Sequence, residues 1–300
     1  WVEPLGLALL GTDPGERLPV AADARLSMAA AQPLDEVLAL PEVNEALFVA
    51  SPNLHGSIAS WRAKPESPAG QRLETSLVKY VARASGRATP FGLFSGISTG
   101  ALGPKTSLEL VPRSEYRRRT RLDNDYLFVL CDELLRDPEV RERVTLRPST
   151  SIYRIAGRLR YAAAKLDGKE RNYHLVSVTP TPYLEATLAR AATGAKLGEL
   201  ATPLVDDWIS LAGARAYIGE LVGAQVLVPE LGGHITGPEP IDGLIAQLAA
   251  AGIEHTRLVE VRAALAAIDA GGLRNAPDSY RAIAANLEAL PAKVDLNRLF

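Results

Sequence analysis

The residues whose types and spacing suggest chemistry lie in and just before ASGRATPFGLFSG, residues 84–96. Lys79, Arg83 and Arg87 recur every four positions, and Thr89, Pro90, Phe91 and Gly92 follow. Such spacing puts Lys79 and Arg83 on one helical face. Gly86 is a helix stop, so Arg87 falls just past the end, at the negative pole of the helix dipole. Thr-Pro-Phe-Gly, with Pro second and Gly fourth, has the pattern of a type I turn. The chemistry on offer is anion binding. Two guanidiniums, which grip planar carboxylates and phosphates bidentately, stand beside a hydroxyl and turn amides. The plainer reading, that these cations only complement the helix dipole, comes first on physical grounds alone.

A second cluster is EYRRRTRLDNDY, residues 115–126. On an extended chain Arg117, Arg119 and Arg121 face one way and Arg118 the other. Taken alone, such a run reads as a solvated face. Joined to Lys79, Arg83, Arg87, Lys105 and Arg113, however, it gives residues 79–121 nine basic side chains against two acidic ones, Glu109 and Glu115. The whole chain has a net charge of −2, so this excess is local and points to a polyanion surface. Other chemistries lack their motifs. No glycine-rich loop ends in Gly-Lys-Ser/Thr, no G-x-G-x-x-G follows a strand, and there is no G-x-S-x-G. The four histidines are scattered, and the single Cys131 builds neither a zinc cluster nor an internal disulfide.

The elements that must hold these residues are legible from period and punctuation. With 300 residues, 47% of them hydrophobic, the chain can bury a sizeable core. Residues 1–35 show no strong period. Helices are expected over 41–50, over the segment SPNLHGSIASW with Ser51 as cap, and from Gln71 to Gly86. Strand-like pieces follow in LFSGISTGAL, SLELV and EYRRRTRL. Asp123 can cap a helix over 124–136. A hairpin turning at Ala156-Gly157 and a third strand at NYHLVSVTP precede helices over 181–192, 196–205 and 210–226, and QVLVPEL closes the unit as a strand. Helices over 241–251, 255–269 and 278–290 complete the chain. KVDLNRLF, ending at Phe300, reads as the start of a strand, so the chain is expected to be part of something longer. The fold class is α+β: a mixed sheet and helix domain with an embedded winged-helix-like module of three strands then three helices, and a helical C-terminal segment. The expected divisions are 1–140, 144–230 and 231–300. No apolar run reaches membrane-spanning length, and one cysteine fits a reducing, cytoplasmic compartment.

YVARASGRATPFGLFSG resembles the signature of lantibiotic-type dehydratases, in the N-terminal glutamylation domain of class I lanthipeptide and thiopeptide enzymes. That signature runs Arg-x-x-x-Arg-x-Thr-Pro-Phe/Tyr-Gly-Leu-Phe. Here it is Arg83, Arg87, Thr89, Pro90, Phe91, Gly92, Leu93 and Phe94. EALFVASPNLHGSI, RLDNDYL, STSIYRIAGRLRY, LVGAQVLVPELGGHITG and KVDL are similar to further blocks of the family in the same order. GERLPV stands where the family shows an Arg-Thr-Pro opening.

The resemblance implies glutamyl transfer from glutamyl-tRNA to Ser and Thr hydroxyls of a precursor peptide, the first half of dehydration. Elimination of glutamate would fall to a separate domain or subunit. Arg83, Arg87, Thr89, Asp123 and Asp295 are then the expected catalytic residues. Lys79, Arg117, Arg118, Arg119 and Arg121 would hold tRNA phosphates. In the module, Tyr173, Leu175, Val176, Ser177, Val178, Tyr217 and Leu221 would take the precursor's leader as an added strand. The tRNA ester is already activated, so no metal or nucleotide cofactor is expected. Two other readings compete: a peptide–aminoacyl-tRNA ligase of the same superfamily, and a non-catalytic leader-binding or winged-helix regulatory protein.

Overall fold

The computed structural model describes the backbone of residues 28–87, 89, 91–104, 111–112, 115–167, 170–232 and 237–300, with side chains described for all of these except 28–33 and 166–171. Expectations that fall on Pro90, Lys105, Arg113, most of SLELV and residues 1–27 therefore lie outside the described residues. In chain order come helices α1 Met28–Ala39, α2 Pro41–Ala50, α3 Pro52–Gly56, α4 Ile58–Ala63, α5 Pro68–Gly86, α6 Asn124–Leu134 and α7 Pro138–Arg143. Strands β1 Leu146–Pro148, β2 Tyr153–Ile155, β3 Arg158–Asp167 and β4 Glu170–Val178 follow. Then come α8 Pro182–Ala191, α9 Leu197–Ala201, α10 Leu211–Gly223, β5 Leu227–Pro229, α11 Pro240–Ala250, α12 Thr256–Ala270 and α13 Pro277–Leu287. The result is an α+β fold with small antiparallel sheets. The chain divides into two compact units. Of the described residues, one holds those up to Asp123 with Val261–Ala289 and Lys293–Phe300; the other holds those within Asn124–Glu260 with Leu290–Ala292.

In the first unit, the core gathers Leu38, Ala46, Leu47, Trp61, Leu77, Ala84 and Phe94, all buried. Local chemistry starts each helix. Pro41 opens α2, Ser51 Oγ accepts from Leu54 N at 3.3 Å to cap α3, and Ser67 Oγ accepts from Gly70 N at 3.0 Å to cap α5. Helix α5 buries Leu77 and Ala84 and packs Leu73, Tyr80 and Val81 against the same core. Burying a side chain such as Leu77 stabilises by about 1.5–3 kcal/mol, which sets this stripe inward and turns Lys79 and Arg87 to solvent.

The same unit contains a buried ionic clamp. Glu45, on α2, is wholly buried. Its Oε1 accepts from Arg118 Nη1 at 2.5 Å, Tyr280 Oη at 2.6 Å and Asn275 Nδ2 at 3.2 Å. Its Oε2 accepts from the backbone N–H groups of Arg274 at 2.7 Å and Asn275 at 3.1 Å. Arg118 also donates to Thr120 Oγ1 and to the carbonyl of Gly272. Burial, together with the neighbouring Glu45 carboxylate, holds the Tyr280 hydroxyl well above its ordinary range, so the phenol stays a donor.

In the second unit, β2, β3 and β4 form an antiparallel sheet, while β1 pairs with β5 in a separate ladder. Ala156 (φ 47°) and Gly157 (φ 71°) make the tight two-residue turn between β2 and β3, as the hairpin reading expects. Leu159, Tyr161, Leu184, Leu200, Ile218 and Leu227 form the core, and Ala163, Val176 and Val178 pack against it. Pro203 ends α9 in a short 3-10 turn over Thr202–Leu204, which accounts for the broken period there.

Three expectations need correction. No strand forms over 93–102 or 115–121. The first segment carries Gly96 and Gly100 and leaves Ile97 and Leu102 largely exposed, so no half-buried face exists to pair. The second does alternate, with Tyr116, Arg118 and Thr120 turned in and Arg117, Arg119 and Arg121 out, but the Glu45 clamp anchors it instead of a ladder. Residues 293–300 begin no strand: Asp295 Oδ1 accepts from Asn297 N at 3.1 Å and caps a 3-10 turn over Leu296–Arg298. Helices α1 and α7 were not expected. The second is signalled by Asp137-Pro138, with Asp137 Oδ1 accepting from Glu139 N at 2.8 Å.

Candidate functional site

The end of α5 opens a cleft in the first unit. Lys79, Tyr80, Ala82, Arg83, Gly86, Arg87 and Phe91 line a cavity of about 510 Å³. The helix-end geometry explains the grouping. Lys79 and Arg83 lie one turn apart on one face, and Arg87 is the C-cap, its N–H donating to Arg83 O at 3.1 Å. The Arg83 guanidinium carbon stacks 4.0 Å from the centroid of Phe91. Among the described residues, no carboxylate pairs with Lys79, Arg83 or Arg87, and Arg83 Nε is buried without a hydrogen-bond acceptor. A sheltered cationic donor lacking an acceptor costs about 1–3 kcal/mol or more until something accepts from it. The cleft is thus cationic, partly apolar and open to an anion.

Other expected residues lie differently. Thr89 is exposed and does not line the cleft. A turn next to it closes through Phe94 N donating to Phe91 O at 3.0 Å, with Gly92 at φ 52°; the expected Thr89–Gly92 turn includes Pro90 and lies outside the described residues. Asp123 is exposed immediately before α6, its N–H donating to Leu299 O at 2.8 Å. Asp295 is exposed, and the hydrogen bonds from Asn297 lower its carboxyl below the ordinary range. Neither aspartate lines the cleft. Arg117, Arg119 and Arg121 are exposed in the same unit as the cleft. Arg118 is not part of that surface. Its side chain is 7% exposed and held by Glu45, which corrects its expected assignment to phosphate binding. Cys131 is buried in α6; burial first, then Asp132, pushes its thiol up to about 12, too high for a nucleophile at neutral pH.

The second unit presents an open sheet edge. Beyond the short β2, one flank of β3 would be bare, but side chains close it. Ser151 Oγ accepts from Ala162 N at 3.1 Å, and Gln225 brackets Ala164, accepting from its N and donating to its O, both at 2.7 Å. Because Ala162 and Ala164 point their polar groups that way, Tyr161, Ala163 and Lys165 bond to β4, opposite Val176, His174 and Asn172. The N–H and C=O groups of Tyr173, Leu175 and Ser177 therefore face the other edge of β4, which no described strand covers, although Ser177 O accepts from Arg158 Nη2 at 3.2 Å. Tyr173 is 69% and Leu175 62% exposed, while Val176 and Val178 pack inward. On α10, Tyr217 is half-buried, and burial holds its hydroxyl above its ordinary range. Leu221 is 9% exposed within the core, so packing claims most of its surface and the leader contact expected of it is corrected accordingly.

Sequence reading missed the partners that fix these groups. Glu45, with Asn275 and Tyr280, holds the arginine run, and Gln225 and Ser151 seal the unwanted edge. Only Glu45 left a trace, as an acid within the apolar helix 41–50.

Comparison with known proteins places the chain. The family described as lantibiotic dehydratase, N terminus, matches residues 39–298. The chain belongs to that family. The subtilin biosynthesis protein SpaB of Bacillus subtilis is 25% identical over 208 residues, 68% of this chain and 20% of SpaB. Among solved structures, the tRNA-dependent lantibiotic dehydratase MibB of Microbispora sp. 107891 matches with a TM-score of 0.70 at 21% identity, over 89% of this chain and 27% of MibB. The glutamylation domain of TbtB, from thiomuracin biosynthesis and bound to 5′-phosphodesmethylglutamycin, matches with a TM-score of 0.55 at 23% identity, over 88% of this chain and 32% of that one. The chain thus spans about a fifth to a third of these three relatives. No helix among the described residues is long and apolar enough to cross a membrane.

Proposed function

We propose that this chain carries the glutamylation step of a lantibiotic-type dehydratase: transfer of glutamate from glutamyl-tRNA to Ser or Thr hydroxyls of a precursor peptide. The observation that carries this reading is the cleft at the end of α5, where Lys79, Arg83 and Arg87 converge with no carboxylate partner among the described residues. Family membership and the likeness in fold to MibB and TbtB support it. In the transfer, the peptide hydroxyl oxygen bonds to the glutamyl carbonyl carbon and the ester bond to the terminal ribose breaks. The hydroxyl proton ends on the departing ribose oxygen. Arg83 and Arg87 supply fixed positive charge for a phosphate or the glutamyl carboxylate, and Asp123 is the candidate to orient the α-amine or assist the proton's passage. The test is glutamyl transfer from charged tRNA to the cognate peptide by the full-length protein. Binding of both substrates without transfer would reject the reading.

Arg117, Arg119 and Arg121 supply the tRNA's sequence-independent affinity. Removing each contact is expected to flatten the logarithmic salt dependence of tRNA binding by about one unit, measured by titration at several ionic strengths. An unchanged slope in all three alanine variants would move the tRNA elsewhere. The leader's place is the free edge of β4. Leu175→Pro removes an N–H that faces this edge and not β3, so it is expected to weaken leader binding by tenfold or more while leaving the fold intact. Wild-type leader affinity in a folded Leu175→Pro protein would exclude strand addition there.

A further inference from the structure

Arg83 is oriented in an unusual way for a cation in a cleft. A salt bridge would fix its direction and also occupy its donors. Here a ring does the first without the second. Phe91 lies under the guanidinium, 4.0 Å from its carbon to the ring centroid. Phe91 in turn rests on Phe94, at 5.7 Å and 49°, and Tyr80 meets Phe94 edge-on, at 6.0 Å and 85°. Phe94 is 6% exposed within the core of the first unit. The hydrogen bond from Phe94 N to Phe91 O ties the two rings through the backbone as well. The support for Arg83 therefore runs from the core upward.

All five N–H bonds of a guanidinium lie in its plane, so whatever sets the plane sets where they point. Stacking on a ring face blocks only one side of that plane and leaves the N–H edge available. No carboxylate among the described residues pairs with the Arg83 guanidinium, and its Nε has no hydrogen-bond acceptor.

We propose that Phe91 is a positioning residue: it fixes the plane of the Arg83 guanidinium and keeps its N–H edge unoccupied for an oxyanion entering the cleft. This rests on the reading that the cleft receives glutamyl-tRNA. Phe91 acts through Arg83, so its effect disappears when the guanidinium is gone. A ring of different chemistry but the same shape preserves it.

The test is a double-mutant cycle in the full-length protein, with Phe91→Leu, Arg83→Gln and the pair, read both as dissociation constant for glutamyl-tRNA and as kcat/KM for transfer. Phe91→Leu alone is expected to weaken the charged tRNA's binding or its use by about 2- to 30-fold. In the Arg83→Gln background the same change is expected to have no further effect. Phe91→Tyr is expected to stay within about twofold of wild type. Equal effects of Phe91→Leu with and without Arg83 would overturn the proposal and make Phe91 a packing residue. If wild type binds charged tRNA without transferring glutamate, the proposed function fails, while non-additivity in the dissociation constants still sustains the role of Phe91. If wild type binds no tRNA, both fall. Coupling seen with charged and uncharged tRNA alike assigns the oxyanion to a phosphate; coupling seen only with charged tRNA assigns it to the glutamyl group.

Discussion

Glu45→Ala is expected to destabilise the first unit by about 3–5 kcal/mol, the cost of breaking a buried ion pair from one side. The carboxylate is fully buried and accepts from Arg118, Tyr280, Asn275 and two backbone N–H groups. Its loss leaves the Arg118 guanidinium, 7% exposed, with the more distant Asp269 carboxylate at 3.7 Å, beside a tyrosine that has also lost its acceptor. Arg118→Ala strands Glu45 instead and is expected to cost a similar amount. Glu45→Gln is expected to lie between wild type and Glu45→Ala, because an amide oxygen still accepts but its NH₂ meets other donors. The measurement is denaturant unfolding of the full-length protein, with hydrogen exchange across residues 116–122 and 272–280 to localise the change. Exchange is expected to rise there first, since the extended arginine segment has no ladder to hold it. A loss below about 1 kcal/mol in both alanine variants would show that the clamp is incidental to the fold. The same experiment separates Arg118 from its neighbours: Arg117, Arg119 and Arg121 are exposed, and their alanine variants are expected to unfold like wild type.

What was legible in the sequence follows the reach of the forces involved. Helix starts declared by a cap and a proline, such as Ser51-Pro52, are local events between residues three apart, and they form as read. The Ala156-Gly157 turn is equally local, and the hairpin and module around it stand as the α+β pattern requires. Alternation in the arginine run was legible, but not which arginine is structural. That depends on Glu45, which is 73 positions away, and Tyr280, which is 162 away. For the same reason the run reads as a strand: period two shows that alternate residues are buried, and says nothing of what buries them. The sealed flank of β3 depends on a glutamine 61 positions from its partner, so the closing of that flank emerges only in three dimensions. At the cleft the reverse holds. Lys79, Arg83, Arg87 and Phe91 lie within one helix end and the turn after it, and local spacing brought all four to one cavity. The roles of Asp123 and Asp295 come from family resemblance, with no spacing that ties either to the arginines, and neither lines that cavity.

Arg83→Ala and Arg87→Ala are each expected to reduce glutamyl transfer by a factor of about 100 or more, while leaving leader affinity near wild type. A fixed donor that meets developing or substrate charge in a sheltered site contributes about 2.7–4 kcal/mol, which corresponds to about 100- to 1,000-fold in rate. The structural cost of either change is expected to be small. Neither guanidinium pairs with a carboxylate among the described residues, so no partner is stranded. Arg87 loses about 0.3–1 kcal/mol of favourable interaction with the end of α5, and Arg83 about 0.5–2 kcal/mol of stacking on Phe91. Leader affinity is the internal control, because the free edge of β4 belongs to the other compact unit. Arg83→Lys sharpens the test. It keeps the charge but lacks the planar fork, so it is expected to recover tRNA affinity better than it recovers kcat. The measurements are single-turnover transfer from charged tRNA and a separate leader-binding titration on the same preparations. A parallel loss of both activities, with a lowered unfolding midpoint, would show that these arginines support the fold, and the cleft would no longer be the transfer site.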